Sequence, residues 1–367
     1  MLSQNGLHWP LPELKFLLPV GISFYTFVAI GYTIDVYNEE VEVEKDFGIV
    51  MLFISFFPLI LSGPIERAGN MLPQFKNLKP ISFDNITAGL KLMLWGYFMK
   101  LVVADRLGMY IDSVYNNIDN HNGSTLLLTT ALYPFQVYTD LGGYSLIAIG
   151  TAKALGLEVM QNFRRPFFAT SMADLWRRWH ISLITWLTDY LYTPMAFHFR
   201  KYKMKGIMLA LILTFLISGI WHGAALTFIF WGFMQGFYLC IELLTQKRRT
   251  TWEQKHNLNN NMFYLVACMI LTYILFSASQ IFGRAPDLKT AFSVFRKIFS
   301  ERGNLFLDIT TLSFAILGLT LVMLKDINDE FFNNKYSLFS SKIGAIRYSA
   351  YLIVLFFIIL FGVFSGS

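Results

Sequence analysis

The sequence predicts an all-helical, polytopic membrane protein, and three observations carry that expectation. Of 367 residues, 55% are apolar and 15% charged, against about 25% charged in a soluble domain. Apolar runs recur along the whole chain, and the mean hydropathy is +0.48. No run alternates with period two, which argues for helices rather than a barrel.

The runs cover 16–34, 49–61, 90–103, 126–137, 141–157, 181–197, 206–221, 224–244, 262–282, 305–324 and 348–364. A full crossing needs about 20 apolar residues, so roughly eight to ten membrane segments are expected, some tilted or re-entrant. No linker or break in composition separates a second domain. The stretch 1–13 has no basic leader, prolines follow at Pro10, Pro12 and Pro19, and the first apolar run is expected to stay in the mature chain.

Basic residues give the orientation. Arg200, Lys201, Lys203 and Lys205 precede one apolar run, and Lys247, Arg248, Arg249 and Lys255 follow the next. Both loops read as cytoplasmic, so 206–244 is a hairpin bending away from the cytoplasm near Trp221. The loop 112–124 carries Asp112 and Asp119 with no Lys or Arg, and reads as external. The region 284–302 is ambiguous: its basic excess points inward and alternation points outward. Within it, Phe292, Phe295 and Phe299 predict an interfacial amphipathic helix over 291–299.

Composition also excludes functions. The net charge is +6, yet the basic residues lie between apolar runs rather than on one face, which excludes nucleic acid as a partner. The 36 phenylalanines and the lack of low-complexity tracts exclude disorder. Cys240 and Cys268 stand alone in apolar segments, so neither a metal site nor a disulfide is expected, and both read as small buried hydrophobes.

Of six histidines, His8, His121, His198 and His256 read as solvated. His222 lies in Ser218-Gly219-Ile220-Trp221-His222-Gly223, where two apolar runs meet. An ionisable group at membrane depth is expensive and faces a bundle interior or a wet cavity. Gly219 and Gly223 permit close approach of a backbone or ligand. The bland alternative is interhelical hydrogen bonding. An imidazole there can take a proton from a hydroxyl and return it to a leaving group.

His180 ends Ser171-Met172-Ala173-Asp174-Leu175-Trp176-Arg177-Arg178-Trp179-His180. The spacing of Ser171 and Asp174 predicts a capped helix start, with Trp176 and His180 on one face and Asp174 paired to Arg178. Trp176, Trp179 and Trp186 read equally as an interfacial aromatic belt. Arg177 or Arg178 has the chemistry to hold an anionic group. In 136–144, Asp140 is costly unless paired or wet, and Gly142-Gly143 is expected to break the helix. A loop between two short helices explains that stretch as well. Asp189 and Asp308 are further acids within apolar surroundings.

The ordered set Pro19-Val20-Gly21-Ile22-Ser23-Phe24-Tyr25-Thr26-Phe27, Ser62-Gly63-Pro64-Ile65, Gln136 to Tyr144, Asn162-Phe163-Arg164-Arg165-Pro166, Trp176 to Ser182 and Ser218 to Gly223 resembles the membrane-bound O-acyltransferase (MBOAT) family. The likeness is to its bacterial alginate O-acetyltransferase branch and runs from about Leu18 to Phe237. The resemblance implies a single integral-membrane unit over 1–367, with a core at 18–282, C-terminal helices over 283–367 and a central tunnel. It implies His222 as the catalytic histidine and His180 as the second. Gln136, Asp140, Tyr144, Trp176, Arg177, Trp179, Ser218 and Trp221 are then the candidate substrate-binding residues, with no metal.

The implied donor is acetyl-CoA or another acyl thioester, with no bound cofactor. The implied partners are membrane lipid, an exported polysaccharide and a periplasmic or exported acyltransferase, and the implied location is the bacterial cytoplasmic (inner) membrane. Two departures stand out. Family members usually carry more helices ahead of the Gly21–Tyr25 motif, so front helices are expected to be missing here. Leu146 also stands where the branch has a polar residue. Rival readings are D-alanyl-type transfer to a cell-wall polymer, a proton-coupled transporter, and an inactive scaffold.

Overall fold

The computed structural model describes residues 21–333, 335 and 338–364. His8, Pro19 and Val20 therefore lie outside the described residues, as does the first part of the 16–34 run. Among the described residues there are helices and no strands. In chain order they are α1 (Ile22–Tyr37), α2 (Phe47–Ile54), α3 (Ala68–Lys76), α4 (Phe83–Tyr97), α5 (Asp105–Tyr115), α6 (Gly123–Ala154), α7 (Met172–Trp176) and α8 (Ile181–Leu187). Then follow α9 (Thr193–His198), α10 (Met204–His222), α11 (Leu226–Lys255), α12 (Met262–Arg284), α13 (Leu288–Ser300), α14 (Ile309–Phe331) and α15 (Gly344–Phe361).

Six helical spans among the described residues are long and apolar enough to cross a membrane: Phe83–Tyr115, α10, α11, α12, α14 and α15. The first joins α4 to α5 through a π-helical turn at Phe98–Ala104. With its 32 residues, α6 reaches about 48 Å at 1.5 Å per residue, enough to cross as well. α1 is apolar too but shorter, at 16 residues. Large side chains such as Phe263, Leu271, Ile274, Phe356 and Ile359 point outward from these helices, as lipid-facing surfaces require.

Two expectations for α6 are corrected. The runs 126–137 and 141–157 form one helix, and Gly142-Gly143 does not break it. Gly143 instead lets α4 approach: a Cβ there would sit 2.8 Å from the Gly96 carbonyl oxygen, and one on Gly89 would sit 2.3 Å from that of Gly150. Small residues at crossing points are how membrane helices pack closely when no hydrophobic drive separates helix from lipid.

The ambiguous 284–302 region lies beside the 112–124 loop. Arg284 pairs with Asp112, and Lys297 Nζ donates to the carbonyls of Ile118, Asp119 and His121 at 3.0, 3.2 and 3.1 Å. Arg284 and Lys297 thus tie the region to the 112–124 loop, and these contacts, in agreement with alternation, set its face. The amphipathic helix forms as α13, but its buried line is Ala291, Val294 and Ile298, while Phe292 and Phe299 are exposed. The buried line packs on α6 and α12, which leaves Phe292 and Phe299 on the outward side.

Chain direction then follows. α12 runs from the face with the basic loops to Arg284, so the Asp112 end of α5 and the start of α6 lie on the opposite face. α6 returns to the basic face, where 157–203 must both leave and rejoin, since α10 starts there. That stretch, carrying α7, α8 and α9, is re-entrant. The hairpin of α10 and α11 turns at the opposite face.

Candidate active site at two histidines

His180 sits where the re-entrant segment changes direction. Ser171 caps α7 as expected, its hydroxyl accepting from the Asp174 N–H at 3.2 Å. The helix does not continue to His180, however. It ends at Trp176, because the Arg178 carbonyl accepts from the Arg164 N–H (2.8 Å) and the Ile181 N–H donates to the Asn162 carbonyl (2.8 Å). Those cross-links draw the backbone out of the helical ladder. His180 takes a left-handed conformation, φ 47°, and becomes the N-cap of α8. Trp176 and His180 therefore share a cavity wall rather than a helix face.

His222 is the last residue of α10. Gly219 brings the two arms of the hairpin together, for a Cβ there would lie 2.3 Å from the Phe228 carbonyl oxygen. The imidazole packs against Trp221, Trp231 and Phe228 with ring centroids 4.6, 5.1 and 6.3 Å away. His180 is buried and His222 is exposed at the rim. Both line one cavity of about 160 Å³.

Trp176, Trp179 and Ser218 line the same cavity. Trp221 does not, but its ring lies against His222, and it walls a neighbouring apolar groove of about 460 Å³ that shares Leu183 and Ser218 with the cavity. Gln136, Asp140, Tyr144 and Arg177 lie off the wall. Asp140 accepts a salt bridge from Lys100 at 2.8 Å, and Lys100 also reaches Asp105 at 2.6 Å. Tyr144 stands beneath the same ammonium, 5.3 Å from ring centre to Nζ. The cost of an acid at this depth is thus met by a cation presented from the π-helical turn.

Arg178 pairs with Asp174 at 3.1 Å and with Glu330 at 2.7 Å, which leaves it committed to structure. Arg177 is exposed. Asp189 pairs with Arg67 at 2.6 Å, and Asp308 caps α14 through the Thr311 N–H at 3.1 Å; neither lines the cavity. Cys240 is buried and Cys268 half-buried, both free.

Sequence reasoning missed Trp231, Gln280 and Tyr133 on the cavity wall. Trp231 and Tyr133 sit in apolar helices where nothing distinguishes them from lipid-facing or core residues, whereas Gln280, a polar group in the apolar α12, carried a signal that could have found it. The indole N–H groups of Trp176 and Trp231 are buried without a hydrogen-bond partner among the described residues. Buried donors of this kind are rarely left unpaired unless a ligand or water completes them.

Fold and site together define a multi-pass helical membrane protein with paired histidines at one cavity between a re-entrant segment and a hairpin tip. Residues 45–280 match the MBOAT, membrane-bound O-acyltransferase, family model, and the chain belongs to that family. It is 32% identical over 335 residues to a probable alginate O-acetylase of Pseudomonas aeruginosa, covering 88% of this chain and 61% of that one. It is 31% identical to a peptidoglycan O-acetyltransferase of Helicobacter pylori, covering 82% of this chain and 61% of that protein. A teichoic acid D-alanyltransferase of Bacillus subtilis is 26% identical, with 74% and 69% covered. The chain spans between 46% and 66% of the length of the alginate O-acetylases it matches.

Proposed function

We propose that the protein is a transmembrane O-acyltransferase of the bacterial cytoplasmic membrane. It passes an acyl group, acetyl in the simplest case, from a cytoplasmic thioester such as acetyl-CoA to an exported polysaccharide or to a partner acyltransferase serving it. The observation that carries this reading is the single cavity shared by His180, from the basic-face re-entrant segment, and His222, from the opposite-face hairpin. Its 160 Å³ is about ten times what one water needs, room for a small acyl group and the hydroxyl it meets.

In this reading His222 Nε2 or Nδ1 takes the proton of the acceptor hydroxyl as its oxygen attacks the thioester carbonyl. The new C–O bond forms, the C–S bond breaks, and the proton returns to the departing sulfur as a thiol. The unpartnered N–H groups of Trp176 and Trp231 supply donors for the carbonyl oxygen as charge develops there. Arg177 is a candidate for an anionic part of the donor.

The D-alanyltransferase relative supports a second reading, aminoacyl transfer to a cell-wall polymer, which differs in donor and not in the histidine geometry. The transporter reading is weaker, because Asp140 is held by Lys100 and not aligned with the histidines. In cells carrying His222→Ala, with membrane insertion confirmed, ester-linked acyl groups on the envelope polysaccharide should fall to background. Unchanged acylation would overturn the proposal.

A further inference from the structure

Off the cavity wall, three polar side chains form a buried cluster with His180. His180, Asn162, Ser145 and Ser182 are 6, 2, 2 and 0% exposed. The Ser182 backbone N–H and hydroxyl both reach Asn162 Oδ1, at 3.2 and 2.9 Å, while Asn162 Nδ2 donates to Ser145 Oγ at 3.0 Å. A backbone N–H can only donate, so the atom it meets must be the amide oxygen and the amide cannot be reversed. His180 Nδ1 lies 3.1 Å from that same oxygen. An amide oxygen only accepts, so Nδ1 carries the hydrogen. A neutral imidazole has one, which leaves Nε2 bare.

We propose that Asn162 is a positioning residue that locks His180 as the Nδ1–H tautomer, so that Nε2 offers the cavity a hydrogen-bond acceptor matched to a hydroxyl of the acyl acceptor beside the one His222 deprotonates, rather than to the donor's carbonyl. The second half rests on the acyl-transfer reading. A carbonyl oxygen has no hydrogen to give to a bare nitrogen, whereas a hydroxyl does. The unpartnered donors suited to a carbonyl stand elsewhere on the wall, at Trp176 and Trp231. The left-handed backbone at His180 is a conformation that persists where surroundings over-determine it. Asn162 supplies part of that constraint through its own carbonyl, which accepts from the Ile181 N–H.

Solid-state 15N NMR of the full chain in liposomes, with labelled histidine, tests the tautomer without any need for turnover. The His180 signals are those lost in His180→Gln. A protonated Nδ1 with a bare Nε2 is expected in the wild type, and a proton on Nε2 would overturn the proposal. Steady-state transfer from acetyl-CoA to the acceptor polysaccharide tests the role. Asn162→Leu should lower kcat/KM for the acceptor by about 10²-fold with the donor KM unchanged. Asn162→Asp, which keeps an acceptor for Nδ1–H, should recover most of that loss.

Equal loss in both variants, or a raised donor KM with acceptor kcat/KM intact, would overturn the assignment to the hydroxyl. If Asn162→Leu does not insert, the wild-type tautomer and Asn162→Asp decide. A wild type with the expected tautomer that transfers nothing would sink the acyl-transfer reading, and with it the match to a hydroxyl, while the Asn162 lock stands.

Discussion

At the scale of single residues, His222 announces itself through expense: an ionisable ring where two apolar runs meet needs a cavity or a partner. Trp231 has no such signal, because an indole in a membrane helix packs equally well against lipid, core or ligand. Its importance comes from an N–H that the fold buries and leaves without a partner. Trp231→Phe keeps the ring and removes only that donor. It should lower kcat by about 10²-fold with the protein stably inserted, read in the acetyl-transfer assay. Trp186 is the matched control, since its N–H already donates to the Phe27 carbonyl at 3.0 Å and it does not line the cavity. Its Phe variant should weaken stability more than rate.

At the scale of elements, glycines illustrate how local reading falls short. Gly142-Gly143 invites a helix break by propensity, yet α6 runs through it because α4 needs the missing side chains. Gly89→Ala would drive a methyl into the Gly150 carbonyl, 2.3 Å away. Neither backbone can yield cheaply, and overpacking of this kind costs about 1–3 kcal/mol. Thermal unfolding in detergent should show a clear fall in Tm. Gly69→Ala is the contrast: its nearest neighbour would be Val41 Cγ2 at 3.7 Å, so the Tm should hold or rise. The end of α7 is the opposite case. Its capping signal was legible in Ser171 and Asp174, but its stop was not, since the carbonyl that ends it is claimed by Arg164, fourteen residues upstream of Arg178.

At the scale of the whole molecule, the loop 284–302 and the loop 112–124 share one face, and the basic loops at 200–205 and 247–255 share the other. The positive-inside rule predicts that the latter is cytoplasmic. Lys201 and Arg296 are both exposed. With Cys240 and Cys268 replaced, a membrane-impermeant maleimide should label Arg296→Cys from outside the cell's membrane and Lys201→Cys only after the membrane is opened. Labelling of both from one side would overturn the chain path. The arrangement matters for the chemistry because it carries His180 in on a segment anchored at one face and His222 on a hairpin turned at the other.

Fold class, membrane residence, the α10–α11 hairpin and the candidacy of His222 were legible in the sequence alone. Each rests on hydropathy or on the cost of a polar group in lipid, which is a property of the residue and its near neighbours. Tertiary structure alone decided that the histidines share a cavity, that Asp140 belongs to Lys100, that Trp231 lines that cavity, and that Asn162 Oδ1 lies 3.1 Å from His180 Nδ1. Those depend on contacts between segments far apart in the chain, where the identity of a partner is set by packing and has no local periodicity to reveal it.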